Sequence, residues 1–542
     1  MGEKRLSAAL NHTSTEADFV IVGGGSAGCV LATRLSEDPT VKVVLIEAGS
    51  RDSSIYLHLP VTYYKTTGPA FTWGFQTAPQ EHQGGMVTPF TQPRVLGGGS
   101  SVNAQVYMRG IPRDYDDWRD VYGCHGWGFS DVLPVFKDAE NNDRLSEPMH
   151  GTDGPLQVSD QAYTHPLTRA WIKACQQAGM PYNSDFNSGD PAGCGLYQVT
   201  NRAGKRSSTA NAYLHPVENR ANLKVFTDAH VTRVLFEGRR AIGVEVRQGG
   251  TLSRIKATRE TIITSGAIGT PHLLQKSGIG PAGWLKDAGV EVLYDAPEAG
   301  ANLQDHLDVF LIHELNGPNS YDKFKKPHWM AWAGLQFAAF RSGPVTSNVV
   351  EGGAFWWVDR DDPYPDVQFH FLAGAGVEAG IPEVPTGNGC TLNAYLVRPK
   401  SRGTVKVSGK ADSGPIIDPN YLSAPEDLQK TVDAVKLGRK IMEQSALSGF
   451  LSREHFPGSK TSTDAELEDF VRAQARTGYH PAGTCRMGSD ERSVVDTELR
   501  VRGVDGLRIA DNSIMPRLVS ANTNATAIMI AERAARFIRG NH

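Results

Sequence analysis

Three glycines and one carboxylate early in the chain have the types and spacing of a dinucleotide site. Gly23, Gly25 and Gly28 stand as G-x-G-x-x-G, and Glu47 follows about twenty residues on. The first glycine permits a tight turn and the second lets backbone approach a pyrophosphate. The third lets a helix lie against a strand, and Glu47 falls where a carboxylate takes ribose hydroxyls. A second Gly-rich stretch, RVLGGGSSVNAQVYMRG from Arg94 to Gly110, sets three glycines beside Ser100, Ser101 and Asn103. Backbone packed against a flat ring or a diphosphate has that composition, and the Arg94 guanidinium suits a phosphate. YHPAGTCRMG, Tyr479 to Gly488, holds His480, one of 16 histidines. Taken by residue type alone, His480 reads as a hydrogen-bonded structural histidine.

The elements that must position these residues are legible around them. Phe19, Val20, Ile21 and Val22 read as a buried parallel strand. Ala27, Val30, Leu31 and Leu35 give the next segment an apolar helical face, with its N-terminus turned to an anion. A second apolar strand ends at Glu47, which completes a βαβ unit. After Gly49 a Pro-, Tyr- and Thr-rich excursion holds Trp73, either a packing residue or a ligand contact. A helix is expected near Pro166 to Ala178, then strand, strand, turn at Gly238 and strand between Ala221 and Gln248. RETIITSGAIGTPHLLQKSGIG reads as a strand, a turn at Ser265–Gly266 and a helix entered through Pro271. GANLQDH, Gly300 to His306, is a polar cluster.

Residues 307–470 are rich in Trp, Phe, His and Pro, and PDVQFHFL alternates as a strand does. They read as an antiparallel sheet with helices on one side, the roof of a pocket. VDGLRIADNSIMP returns to nucleotide-domain style with a strand ending at Asp511, and SANTNATAIMIAERAARFI is a loop running into a helix. The expected fold is mixed α/β and α+β, a Rossmann-like nucleotide domain carrying an inserted antiparallel-sheet substrate domain. Its boundaries are set at 15–155, 216–306 and 471–542 for the first, and 156–215 and 307–470 for the second.

With 542 residues, 40% hydrophobic and 21% charged, the chain is long enough for at least two domains of a globular protein. The net charge of −4 comes without a dense Lys/Arg run, so neither nucleic acid nor an anionic membrane is indicated. No apolar stretch of about eighteen residues predicts a membrane span, and a polar N-terminus makes cytoplasmic the default. The six cysteines are far apart, without a C-x-x-C pair. They read as reduced packing residues, and no metal site is expected.

The βαβ unit, RVLGGGSSVN, SGAIGTPHLLQKSGIG, GANLQDH, YHPAGTCRMG and NTNAT occur in that order over nearly the whole chain. Together they resemble the glucose–methanol–choline family of FAD-dependent alcohol oxidoreductases. Within it the likeness extends through HWMAWAGLQFAAFRSGPVTSNVVEGGAFW to the L-sorbose dehydrogenase subfamily, which implies oxidation of a ketose primary hydroxyl. Some members tether the flavin through a His after Gly-Ser-Ser. Val102 stands there in this chain, which implies noncovalent FAD. Many members carry two site histidines, whereas this chain offers His480 and Asn522.

The resemblance implies His480 as the general base and Asn522 as the donor to the substrate oxygen. Asn524, two residues on, is the alternative to Asn522, and spacing from the AIMIAER helix favours Asn522. Around FAD it implies Gly23, Gly25, Ser26, Gly28, Glu47, Ala48 and Trp73. On the flavin side it adds Arg94, Gly98, Ser101, Asn103 and Ala104, with Val231 at adenine and Asp511 and Thr523 further along. His328, Trp329, Asn348, Glu351, Trp356, His370 and Tyr395 are roof residues open to a substrate role or to packing. The electron acceptor is expected to be a quinone or dye, with oxygen as the alternative. Choline, aryl or furan alcohols are alternative substrates, a flavin-containing lyase is a further class, and an NAD-dependent dehydrogenase stands outside the family.

Overall fold

A computed structural model describes residues 15–376, 382–409 and 413–540 of the chain. Two seven-stranded sheets organise it. In the first, Thr15–Val22 lies in parallel between Val43–Ile46 and Thr251–Ile263, and Leu223–Phe226 extends the parallel side beyond Val43–Ile46. The apolar runs at 19–22 and 43–46 are buried on both faces, which is why they are unbroken instead of alternating. Beyond Thr251–Ile263, Arg240–Gln248 and Ala229–Glu237 run antiparallel. Leu507–Ile509, nearly 250 residues later in the chain, pairs in parallel with 261–263 of the same long strand.

The helix Ser26–Leu35 is buried on nearly every side, not on one face as its periodicity suggested. The C-terminal helix Asn524–Arg539 covers its outer side, and Arg34 grips Glu532 through two hydrogen bonds of 2.9 Å. Gly28 sits where this helix meets the strand before it. A Cβ there would lie 1.9 Å from the Gly23 carbonyl oxygen.

The helix Gly266–Lys276 begins at Gly266, so Pro271 is inside it and not at its entry. A proline there cannot donate to the carbonyl of Ala267. The Thr484 hydroxyl takes that carbonyl instead, at 2.6 Å. The helix therefore tolerates its proline through a residue more than two hundred positions away.

The second sheet is antiparallel, in the order Leu451–Phe456, Leu307–Leu315, Gly389–Leu396, Val367–Leu372, Gly352–Trp356, Gly193–Leu196. Pro425–Met442 and Pro166–Gln177 pack on one face. Gly438 lets the first approach so closely that a Cβ would meet Leu311 at 2.9 Å. Trp171 on the second stacks on Phe371, with ring centroids 5.2 Å apart. In Val367–Leu372 the alternation has an unusual outcome, because every residue is buried. Phe369 and Phe371 belong to the core, while Gln368 and His370 face the space between the two sheets.

Candidate active site

A cleft of about 810 Å³ separates the sheets. At one end it is lined by Gly23, Gly25, Ser26, Glu47, Ala48, Trp73 and Val231, along its middle by Gly98, Asn103, Ala104, Asp511 and Thr523, and at the other end by His370, Tyr395, His480 and Asn522. Sixteen sequence-selected residues thus come to one surface.

Eight others do not line it. Gly28 acts in helix–strand packing. Arg94 lays its guanidinium over the Trp73 ring, 5.4 Å from the centroid, and its charge opposes the rise in the Glu47 pKa. Ser101 donates its hydroxyl to the Leu96 carbonyl at 2.8 Å, closing the Gly-rich turn. Asn348 holds the Ala104 carbonyl at 2.6 Å from behind. Glu351 is fully buried and accepts from Ser347, Thr168, Tyr321 and the His165 N–H. Its oxygens are consumed in tying four segments together, so none is left for a substrate. Trp356 packs against Trp357 under the Arg360 guanidinium. His328 and Trp329 lie on an exposed helix, away from the cleft.

The dinucleotide end is built from backbone. A Cβ on Gly98 would come within 2.6 Å of the Gly25 Cα, so bare main chain from two motifs meets there at the N-terminus of Ser26–Leu35. Ser26 locks the contact, donating to Asn524 at 2.8 Å and accepting from the Ser100 N–H at 3.2 Å. Asn524 is thereby occupied at this end. The Glu47 carboxylate accepts from the N–H groups of Gly24 at 2.8 Å and Gly49 at 2.7 Å, and burial pushes its pKa up to about 7. Asp511 accepts from the Gly266 N–H at 2.9 Å and the Thr270 hydroxyl at 2.6 Å, which fixes the N-terminus of that helix.

At the other end a chain of hydrogen bonds sets the proton positions of His480. The Val397 carbonyl can only accept, so His306 carries its proton on Nε2, 3.1 Å away. Neutral His306 then presents a bare Nδ1 to His480 Nδ1 at 2.9 Å, which must be the donor. His480 is left with a bare Nε2, and the Asn522 amide nitrogen approaches it at 3.1 Å. Burial depresses all three histidines of this end, His306 to about 4, His370 to about 3 and His480 well below 6.5. A neutral imidazole with its free lone pair turned to the cleft is a proton acceptor. Asp305 fixes the backbone of this turn, accepting the main-chain N–H of His480 at 2.9 Å and the Tyr421 hydroxyl at 2.6 Å. Tyr479 takes a left-handed backbone, φ 66°, to turn the chain into this position.

Four participants escaped residue-by-residue reading. Asp305 and His306 sit in GANLQDH, whose polarity ahead of an apolar strand was the available signal. Gln368 reaches Asn522 at 3.1 Å and His370 at 2.9 Å, and only the sheet register brings it there. Gln105 is fully buried with φ 62°, lines the cleft, and neither end of its side-chain amide finds a partner among the described residues.

Residues 17–308 match the N-terminal family model described as GMC oxidoreductase, and residues 399–531 match its C-terminal counterpart. An alcohol dehydrogenase (acceptor) of Pseudomonas putida is 42% identical over 96% of this chain and 95% of its own length. The mitochondrial choline dehydrogenase of Homo sapiens is 41% identical over 100% of this chain and 92% of its own. Among solved structures, a pyridoxine 4-oxidase from Mesorbium loti superposes with a TM-score of 0.87 at 32% identity, covering 97% of this chain and 100% of that one.

Proposed function

The chain belongs to the GMC oxidoreductase family, and on that footing we propose that it is an FAD-dependent dehydrogenase of primary alcohols. His480 is its general base and a neutral, hydroxyl-rich molecule such as L-sorbose is its substrate. FAD is the family cofactor, and the two-ended cleft with its bare glycine backbone accommodates a dinucleotide. Glu47 and Val231 would hold the adenosine half, Gly23, Gly25 and the Ser26–Leu35 N-terminus the pyrophosphate, and Asn103, Ala104 and Asp511 the flavin half. With Val102 after Gly-Ser-Ser there is no histidine to tether it. Bound there, FAD supplies the hydride acceptor.

The observation that carries the reading is the tautomer of His480. Its bare Nε2 takes the hydroxyl proton of the substrate, and the resulting imidazolium keeps donating from Nδ1 to His306. Asn522, beside Nε2, donates its amide to the same substrate oxygen and stabilises negative charge as the alkoxide forms. Gln368 holds the Asn522 carbonyl, which turns the amide nitrogen toward His480.

Substrate class rests on Gln105 and Gln368. Gln105 lines the cleft with both ends of its amide unpartnered among the described residues, and Gln368, held on Asn522, keeps an unpartnered carbonyl; such buried amides suit hydroxyl groups that donate and accept. Choline dehydrogenases among the relatives favour a second reading, a cationic amino alcohol. The carboxylates lining the cleft, Glu47 and Asp511, are engaged with backbone away from the base, which favours a neutral substrate.

Anaerobic mixing of the yellow protein with L-sorbose, choline or a simple primary alcohol separates these. Flavin bleaching by sorbose, reversed by a dye faster than by air, is expected. Bleaching by choline alone would replace the substrate and keep the base. No bleaching by any alcohol would refute the dehydrogenase reading.

A further inference from the structure

The helix Pro327–Phe340 is apolar on the side turned away from the protein. Its buried residues are Ala333 and Phe337, which pack on Val345 with Leu59, Val61 and Phe324 around them. At about 100° per residue the opposite side carries His328, Ala331, Trp332, Leu335, Ala338 and Ala339, apolar but for the histidine. Trp332 is 54% exposed, Leu335 68% and Phe340 76%, with Met330 at 50% and Trp329 at 40%. A surface helix ordinarily places its charged residues on this side, and single exposed apolar residues need no explanation whereas a contiguous patch does.

The charges that flank the helix in sequence are of one sign. Lys323, Lys325 and Lys326 precede the helix and Arg341 follows it, and no Asp or Glu occurs between Lys323 and Val350. The carboxylates near the entry, Asp322 and Glu383, both lie within 4 Å of Lys325. Among the described residues no carboxylate pairs with Lys326 or Arg341.

We propose that this helix is an interfacial anchor that lies in the plane of an anionic lipid bilayer. Trp332 and Leu335 enter the boundary between headgroups and acyl chains, while Lys326 and Arg341 meet lipid phosphates. At about 21 Å the helix is too short to span a hydrocarbon core of about 30 Å, and no described helix is long and apolar enough to cross a membrane. Total charge and the lack of a Lys/Arg run gave no hint of a membrane; the grouping arises where three lysines and an arginine bracket one exposed helix. A second copy of this chain is a poorer occupant, because a two-fold contact brings like-charged ends together. The helix rests on the outside of the turn Pro60–Lys65, from which Tyr63 lines the cleft.

The test is co-sedimentation of the full FAD-loaded protein with vesicles of phosphatidylcholine alone or with phosphatidylglycerol added, read as protein in the pellet. Binding to the anionic vesicles, weakened by salt, is expected. Trp332→Glu with Leu335→Glu lowers the partition coefficient at least about tenfold, and Lys326→Glu with Arg341→Glu lowers it by about thirtyfold or more, at about 1 kcal/mol per basic residue. Flavin content and dye-linked turnover of the first pair, measured without vesicles, show that it is folded. Wild-type protein left in the supernatant overturns the proposal, as do variants that pellet equally. So does a wild-type dimer that binds no vesicle and is split by Trp332→Glu with Leu335→Glu. Pelleting does not depend on turnover, so a wrong substrate assignment leaves this test intact.

Discussion

Replacing His306 by leucine deletes the acceptor behind His480 without touching the face that meets substrate. In the native protein His480 Nδ1–H donates to His306 Nδ1 at 2.9 Å. That bond keeps Nε2 bare in the resting state and receives a charged donor once the proton has moved. A hydrogen bond to a charged group contributes about 1.5 to 3 kcal/mol, which corresponds to about 10- to 150-fold in rate. His306→Leu should therefore slow anaerobic flavin reduction by that factor while flavin content stays normal. His306→Gln, whose side-chain oxygen can accept, should recover most of the loss. A leucine variant reduced within about threefold of the native rate, with its flavin in place, would refute the tautomer chain. Thermal melting of both variants separates this from the stability lost by leaving the Val397 carbonyl unpaired, about 1 to 3 kcal/mol.

His480→Ala should retain flavin and lose about 10²- to 10⁴-fold in reduction rate, the range of a general base; stopped-flow absorbance decides it, and near-native reduction removes His480 from that role. Since burial holds His480 neutral well below 6.5, the acid limb of kcat/KM should lie below pH 6.5, and a limb above it would contradict a neutral base. Stability should fall with acid. His165, His306 and His313 are depressed to about 4 and His370 to about 3, so the unfolded chain binds protons below 6.5 that the folded one refuses. At pH 5 the four together cost roughly 8 kcal/mol. Glu47 and Asp305, raised to about 7 and about 6, act oppositely and return roughly 4 kcal/mol, so melting should occur at lower temperature at pH 5 than at pH 7. Gly28→Ala places a Cβ 1.9 Å from the Gly23 oxygen and should yield protein without flavin or none that is soluble; a yellow, native-melting variant would argue against the packing role.

The cofactor end was the most legible part of the chain because its chemistry is local. Turn, helix start and strand end lie within about thirty residues, and glycine spacing reports backbone geometry directly. Gly23, Gly25 and Glu47 accordingly line the cleft, and Gly28 sits against the strand. Arg94 and Glu351 have partners in the fold that their motifs do not name, for one shared reason. A charged side chain in a motif announces that it is needed but not which neighbour it serves, and here the neighbours are Trp73 for one and Ser347, Thr168 and Tyr321 for the other. Pro271 was misplaced because its helix depends on Thr484, which no local window contains.

By itself the sequence determined the GMC oxidoreductase architecture, the dinucleotide end and His480 as the histidine to watch, since ordered motifs over the whole length encode them. Only the tertiary structure decided the tautomer and the neutrality of His480 on which the proposed base role rests. Val397, His306 and Asn522 come from three separate stretches, and a tautomer is fixed by partners within 3.1 Å, not by neighbours in sequence. Burial, which holds that ring neutral, is likewise a property of packed sheets and helices, absent from any segment alone.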